Sequence, residues 1–202
     1  MLTAMDVQAL AARCAPVVAP STLLAVAKAE SGFNPLAIGV NSPRPGRLSP
    51  TDKAEAVAKA RQLVAAGASV DLGLAQINAR NIGWLGLTIE AAFDPCLNLK
   101  AAARVLQAGY ALGDPARVGE QQALRVAFSY YNTGRADRGF ANGYVAKVTA
   151  AGRTVSALQP DGAKAAVVLH ATPPAPTWDV FAQAPAPAAG FVFIPVNSGD
   201  GQ

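Results

Sequence analysis

Glu30 closes the run Ser21-Thr22-Leu23-Leu24-Ala25-Val26-Ala27-Lys28-Ala29-Glu30 and is the residue best placed in this chain for acid chemistry. Leu23, Val26, Ala27 and Glu30 fall on roughly one face at helical spacing, and Ser31-Gly32 stops the helix just after the acid. A carboxyl on the buried side of a helix is costly unless it is paired or neutral. A neutral, desolvated Glu is what protonation of a glycosidic oxygen requires. Read alone, the same residue suits a solvated helix end, since Glu is mostly exposed in folded proteins. Asp71 precedes the run Gly73-Leu74-Ala75-Gln76-Ile77-Asn78. It reads either as a second carboxylate near the same site or as an Asx-turn residue bracketing a loop. Asp52, Glu55 and Glu90 fit helix starts or solvated faces. Gln76, Tyr131 and Tyr144 carry polar groups suited to a site, but Gln76 also suits a bond to loop backbone, and the tyrosines suit a core.

The elements that would position these residues are mostly helical. Thr3-x-x-Asp6 resembles a capping box and opens a helix ending near Cys14. Pro16 and Pro20 break the chain, and Ser21 is a candidate cap for the Glu30 helix. Residues 35–48, punctuated by Pro35, Gly39, Asn41, Pro43, Pro45 and Gly46, read as a loop. Ser49-Pro50-Thr51-Asp52 offers an N-cap, a first-turn Pro and an acid for a helix to about Ala66, with Gly67 as its stop. A short extended stretch is expected around Val70–Ile77. Asp94-Pro95 starts a helix to about Leu112. Asp114-Pro115 starts another, carrying Leu124, Ala127, Phe128 and Tyr131. Gly134 and Gly139 bracket a loop, and a last helix with Tyr144, Val145 and Val148 ends at Gly152. The sheet is expected to be small or absent.

The 202 residues suit one domain over 1–152 and a tail over 153–202. Pro173-Pro174-Ala175-Pro176 and Ala184-Pro185-Ala186-Pro187-Ala188-Ala189 cannot build a core, so the tail reads as flexible and disordered. Its apolar islands, Trp178-Asp179-Val180-Phe181 and Phe191-Val192-Phe193-Ile194, suit either partner docking or local packing on the domain. Aromatics make up only 6% of residues, so helices are expected to pack through small side chains. A formal charge of +4 implies mild attraction to anionic surfaces. The basic residues are scattered and match no nucleic-acid motif, so no nucleic acid is expected as partner. No apolar run reaches membrane-spanning length, and Asp6 and Arg13 interrupt what would be the apolar part of a signal peptide. The single His170 and two distant Cys give no metal-site spacing.

Glu30-Ser31-Gly32, Gly73-Leu74-Ala75-Gln76-Ile77-Asn78 and Tyr130-Tyr131-Asn132-Thr133-Gly134 occur in the order and approximate spacing of the lysozyme-like lytic transglycosylases. Over about residues 3–150 the chain resembles the branch associated with type IV secretion and conjugation. That branch's A-I-G-V-N run is matched by Ala37 to Asn41, its D-x-G-L-x-Q-I-N run by Asp71 to Asn78, and its F-D-P-C-x-N-L run by Phe93 to Leu99. The chain departs from the family's A-Y-N-A-G block, where Tyr130 and Thr133 replace the alanines.

The resemblance implies a mainly α, lysozyme-like α+β fold. It implies a periplasmic enzyme that cleaves the MurNAc-GlcNAc bond of peptidoglycan without a cofactor, leaving a 1,6-anhydromuramyl end. Glu30 would give the proton and later take one back. Ser31, Gly73, Leu74, Gln76, Tyr131, Asn132 and Tyr144 would serve the substrate site, with Ser31 bonding an acetamido group, Gly73 letting backbone approach the sugar, and Tyr144 orienting Glu30. Secretion-system proteins would meet the tail at Trp178 and Phe181. Two other readings remain at this point: a hydrolytic muramidase, and a murein-binding assembly factor. Cys14 and Cys96 alone suit two reduced thiols. The resembling family pairs similar positions, which implies a disulfide worth roughly 4 kcal/mol for a closed loop of about 80 residues.

Overall fold

The computed structural model describes residues 1–157. Helix α1 (Ala4–Cys14) opens with the expected capping box: Thr3 Oγ1 accepts from the Asp6 amide, and the Asp6 carboxylate accepts from the Thr3 amide. Helix α2 (Pro20–Ser31) begins one residue before the expected cap, so Ser21 lies inside it. Pro20 sits in the first turn, where a missing N–H costs nothing. Helix α4 (Pro95–Leu112) has the expected limits, and the Asp94 carboxylate accepts from the Leu97 amide at 2.9 Å. The helix expected from Pro115 is divided at Gly119 into α5 (Pro115–Val118) and α6 (Glu120–Thr133). The short α7 (Arg138–Ala141) occupies part of the segment read as a loop.

Helix α8 (Tyr144–Ala157) runs past Gly152. A Cβ at Gly152 would lie 3.4 Å from the Ala25 side chain, so this glycine admits close packing on α2 and does not stop the helix. Residues 153–157 therefore continue the domain. His170, Trp178, Phe181 and the second apolar island lie outside the described residues.

The main core is helical. Helix α4 packs along α6 and α1, and α2 packs along α8. Leu23, Val26, Leu99, Leu106, Ala127 and Val148 are buried there. A disulfide between Cys14 and Cys96, with Cα atoms 5.4 Å apart, ties the end of α1 to the start of α4. No helix among the described residues is long and apolar enough to cross a membrane.

A second, smaller core lies beneath a four-stranded antiparallel sheet ordered β2-β1-β3-β4. Strands β1 (Ile38–Ser42) and β2 (Gly46–Leu48) occupy the segment expected to be a loop. All three β2 residues are exposed, so this strand leaves no apolar alternation to read. Strands β3 (Ser69–Leu72) and β4 (Ile77–Asn78) lie at the two ends of the expected extended stretch, with a turn between them. Ile38, Val70 and Leu72 point into this core against Ala56 and Ala60 of α3 (Lys53–Ala65). Asp52 caps α3 by accepting from the Glu55 amide at 2.9 Å, and the earlier candidate Ser49 does not. The site sits where the two cores meet.

Candidate active site

Glu30 is in the last turn of α2, whose Leu23, Val26 and Ala27 are fully buried. Its carboxyl is partly buried, and the Tyr144 hydroxyl donates a hydrogen bond to Oε1. Burial pushes the Glu30 pKa up to about 7. The Tyr144 bond and the positive charges of Lys147 and Arg47 oppose that rise, while the negative charge of Asp71 adds to it. Near neutral pH such a group exists in both forms, so it can give a proton and take one. Tyr144 is held in turn from the backbone: its amide donates to Asn142 Oδ1 at 3.0 Å, and Asn142 Nδ2 donates to Asn132 Oδ1 at 2.8 Å. Asn132 thus acts at the end of α6 by placing the start of α8.

Asp71 lies within β3, paired with Gly39 and Asn78, and is not an Asx-turn residue. Its carboxylate accepts from Asn41 Nδ2 at 2.8 Å and from Asn78 Nδ2 at 2.7 Å, bonds that reach across to β1 and β4. Burial raises its pKa; the two amide bonds and the charge of Arg47 oppose the rise. The Tyr131 hydroxyl lies near both acids, and burial and the charges of Glu30 and Asp71 push its pKa well up, so it stays protonated.

The turn at residues 73–76 is fixed by side chains from the surrounding helices. Ser31 Oγ donates to Leu74 O at 2.6 Å, and Tyr131 Oη donates to Ala75 O at 2.7 Å. Asn98 Oδ1 accepts from the Ala75 amide, while its Nδ2 donates to Leu72 O and Ala92 O. Gln76 Nε2 donates to Gly73 O at 2.8 Å and Ala37 O at 3.0 Å. Gly73 has φ +77°, and a Cβ there would stand 2.3 Å from Ala92 O, so its close approach is to this chain's own backbone. Leu74 is fully buried. Ser31, Gly73, Leu74 and Gln76 therefore build the site's frame, and the hydrogens of Ser31 and of the Gln76 amide are taken by backbone carbonyls.

The structure brings Glu30, Asp71, Tyr131 and Tyr144 together. It adds residues that sequence reasoning missed. Asn41, Asn78 and Asn98 stood within recognised runs but had no assigned part. Lys147 carried no signal. Arg47, whose Nη2 donates to Glu30 O at 2.6 Å, was hidden in a Pro- and Gly-rich segment. An open groove of about 880 Å³ between α2, α6 and α8, lined by Ala25, Leu124, Phe128 and Val148, contains neither acid.

Residues 8–151 match the transglycosylase SLT domain family. The chain is 48% identical over 159 residues to protein virB1 of Rhizobium radiobacter, a match covering 78% of this chain and 65% of that one. It is 48% identical over 141 residues to protein virB1 of Agrobacterium fabrum, covering 70% and 57%. It is 44% identical over 149 residues to the type IV secretion system protein virB1 of Brucella abortus biovar 1, covering 70% and 61%. The chain thus spans less than two thirds of the length of these curated relatives. No solved structure matches. The chain belongs to the transglycosylase SLT domain family.

Proposed function

On the premise of that membership, we propose that the protein is a peptidoglycan lytic transglycosylase. It cleaves the β-1,4 bond between MurNAc and GlcNAc and leaves a 1,6-anhydromuramyl end. The observation that carries this reading is the Glu30 carboxyl, sheltered at the meeting of two cores, held by Tyr144 and poised near pH 7. Protonated Glu30 gives its proton to the glycosidic oxygen as the bond to the anomeric carbon breaks. The C6 hydroxyl of the same MurNAc then closes on that carbon, and Glu30, now a carboxylate, takes the hydroxyl proton. One bond breaks, one forms, no water is consumed, and Glu30 ends as it began. The attack is intramolecular, so it gains the high effective molarity of tethered groups. Tyr144 keeps the carboxyl aimed, and the Asn132–Asn142 link keeps Tyr144 in place.

Asp71 favours a second reading, a hydrolytic muramidase in which two carboxylates share the work and water attacks. Mass analysis of murein digested by the purified protein separates the two, because anhydro ends and reducing ends differ by one water. Anhydro ends support the transglycosylase; reducing ends alone refute it. The similarity to virB1 proteins supports a further step, in which the enzyme opens the wall locally for a type IV secretion or conjugation apparatus. A periplasmic location suits the Cys14–Cys96 disulfide, since such bonds persist in oxidising compartments. Trp178 and Phe181 would then supply an aromatic anchor for secretion-system proteins.

A further inference from the structure

The sheet's register lines up one row across all four strands. Arg47 on β2 opposes Gly39 on β1, Gly39 opposes Asp71 on β3, and Asp71 opposes Asn78 on β4. Directly opposed residues in antiparallel strands share a face. Ile38, Val70 and Leu72 occupy the other face and fill the smaller core. Strands spaced at about 4.8 Å leave roughly 10 Å of lateral distance between the Arg47 and Asp71 backbones. Between them Gly39 contributes no side chain, and a Cβ there would come within 2.7 Å of Gln76 Oε1 and 3.6 Å of the Asp71 Cβ. The row therefore sets a cation at one edge and an acid held by Asn41 and Asn78 on the far side of Gly39, whose missing side chain leaves room for Gln76 Oε1.

Strand β2 buries none of its residues and forms an edge of the sheet, so it adds little to either core. Its distinctive contact is the bond from Arg47 Nη2 to Glu30 O. That carbonyl belongs to the last turn of α2, where carbonyls lack intrahelical donors and the helix dipole favours a cation. A single side chain thus fastens the exposed edge of the sheet to the backbone of the acid residue itself.

We propose that Arg47 is a positioning residue that anchors the end of α2 to the sheet and keeps a fixed positive charge beside Glu30 as it passes to the carboxylate. This rests on the reading of Glu30 as the group that gives and takes the proton. The groups that face Glu30 are Tyr144 and Lys147 from α8, Tyr131 from α6, Asp71 from β3 and Arg47 from β2. Burial and Asp71 disfavour the carboxylate, whereas Tyr144, Lys147 and Arg47 favour it. Of the two cations, Arg47 is the one bonded to Glu30 itself, so its charge keeps its place through the proton transfers. Arg suits this task better than Lys, because its guanidinium is planar and stays charged while it donates.

The test uses the full chain and its Arg47→Ala and Arg47→Lys variants. The carboxyl signals of the four glutamates are followed by NMR against pH, with Glu30 assigned by loss of its signal in Glu30→Gln. Murein cleavage is measured in parallel. Arg47→Ala is expected to move the Glu30 titration measurably upward and to lower kcat by roughly tenfold, with KM changed less than about twofold, the loss of one charge-assisted bond. Arg47→Lys should restore the titration and only part of kcat. An unmoved Glu30 titration in Arg47→Ala overturns the proposal, whatever happens to kcat. So does a fall in kcat that Arg47→Lys does not relieve at all. The titration needs no substrate, so absence of anhydro products from the wild type would refute the proposed reaction while Arg47 is still judged on its own.

Discussion

Replacing Glu30 by Gln should make the protein more stable at pH 8 while removing its activity. A carboxyl whose folded pKa is raised costs nothing at low pH, where it is neutral in both folded and unfolded chains. Once the pH passes the ordinary value of 4.5, the unfolded chain ionises Glu30 and the folded chain does not, so stability falls until the pH passes the folded value of about 7. A rise of that size, at about 1.4 kcal/mol per unit, gives about 3 kcal/mol as a ceiling, and the partial exposure of Glu30 brings the expectation to roughly 2 kcal/mol. Gln keeps the shape and an oxygen to accept from Tyr144, so packing hardly changes. Denaturant unfolding of both proteins should show Glu30→Gln more stable by roughly 2 kcal/mol at pH 8 and nearly equal at pH 4. In melting temperature the pH 8 difference is about 5 °C. Groups remote from Glu30 titrate alike in the two chains, so the change in the difference with pH reports Glu30 together with the neighbours coupled to it, chiefly Asp71. A difference that does not vary with pH, or a wild type that is the more stable at pH 8, refutes the idea of a sheltered carboxyl. In the same variant murein cleavage should fall by at least about a hundredfold, the usual range for loss of a general acid.

Tyr144→Phe removes a bond that lowers the Glu30 pKa. The alkaline limb of the pH–rate profile should move up by roughly one unit, and kcat should fall because the carboxyl is no longer aimed. Asp71→Asn should lower activity far less than Glu30→Gln if one carboxylate suffices, and an equally complete loss would indicate two-carboxylate hydrolysis. Since Asp71 raises the Glu30 value, its neutralisation should also move the alkaline limb down, in the opposite sense to Tyr144→Phe. Truncation after Ala157, which keeps α8 whole, should preserve cleavage and weaken function in a secretion or conjugation assay; loss of cleavage in a folded truncated protein would show that residues 158–202 support the site.

The helical frame was legible because its signals are local. The capping box at Thr3 and Asp6, Asp94-Pro95 before α4, and the spacing of Leu23, Val26 and Ala27 each follow from contacts within one or two turns. Glu30 could be singled out because few side chains suit acid chemistry, whereas Tyr131 and Tyr144 were marked only by the resemblance to the lytic transglycosylases. What could not be read was set by contacts between distant segments. Gly152 looked like a stop because the sequence does not show Ala25 lying against it. Ser31 and Gln76 looked available to a ligand because the carbonyls of Leu74 and Ala37 that occupy them are supplied by the fold.

The β1–β2 hairpin shows most clearly why part of the site escaped sequence reading. Its outer strand buries nothing, so no alternation of apolar and polar residues marks it, and its prolines and glycines resemble a loop. The value of Arg47 comes from two facts that no side-chain pattern records. One is the register that sets it in line with Gly39 and Asp71. The other is a backbone carbonyl left without a helical donor because α2 stops at Gly32. The need for a donor is created by one element and met by another 17 residues away. In this site the candidate acid is marked by its own segment only together with the later runs at Gly73 and Tyr130, while the groups that tune it belong to the register of the sheet and the ends of the helices.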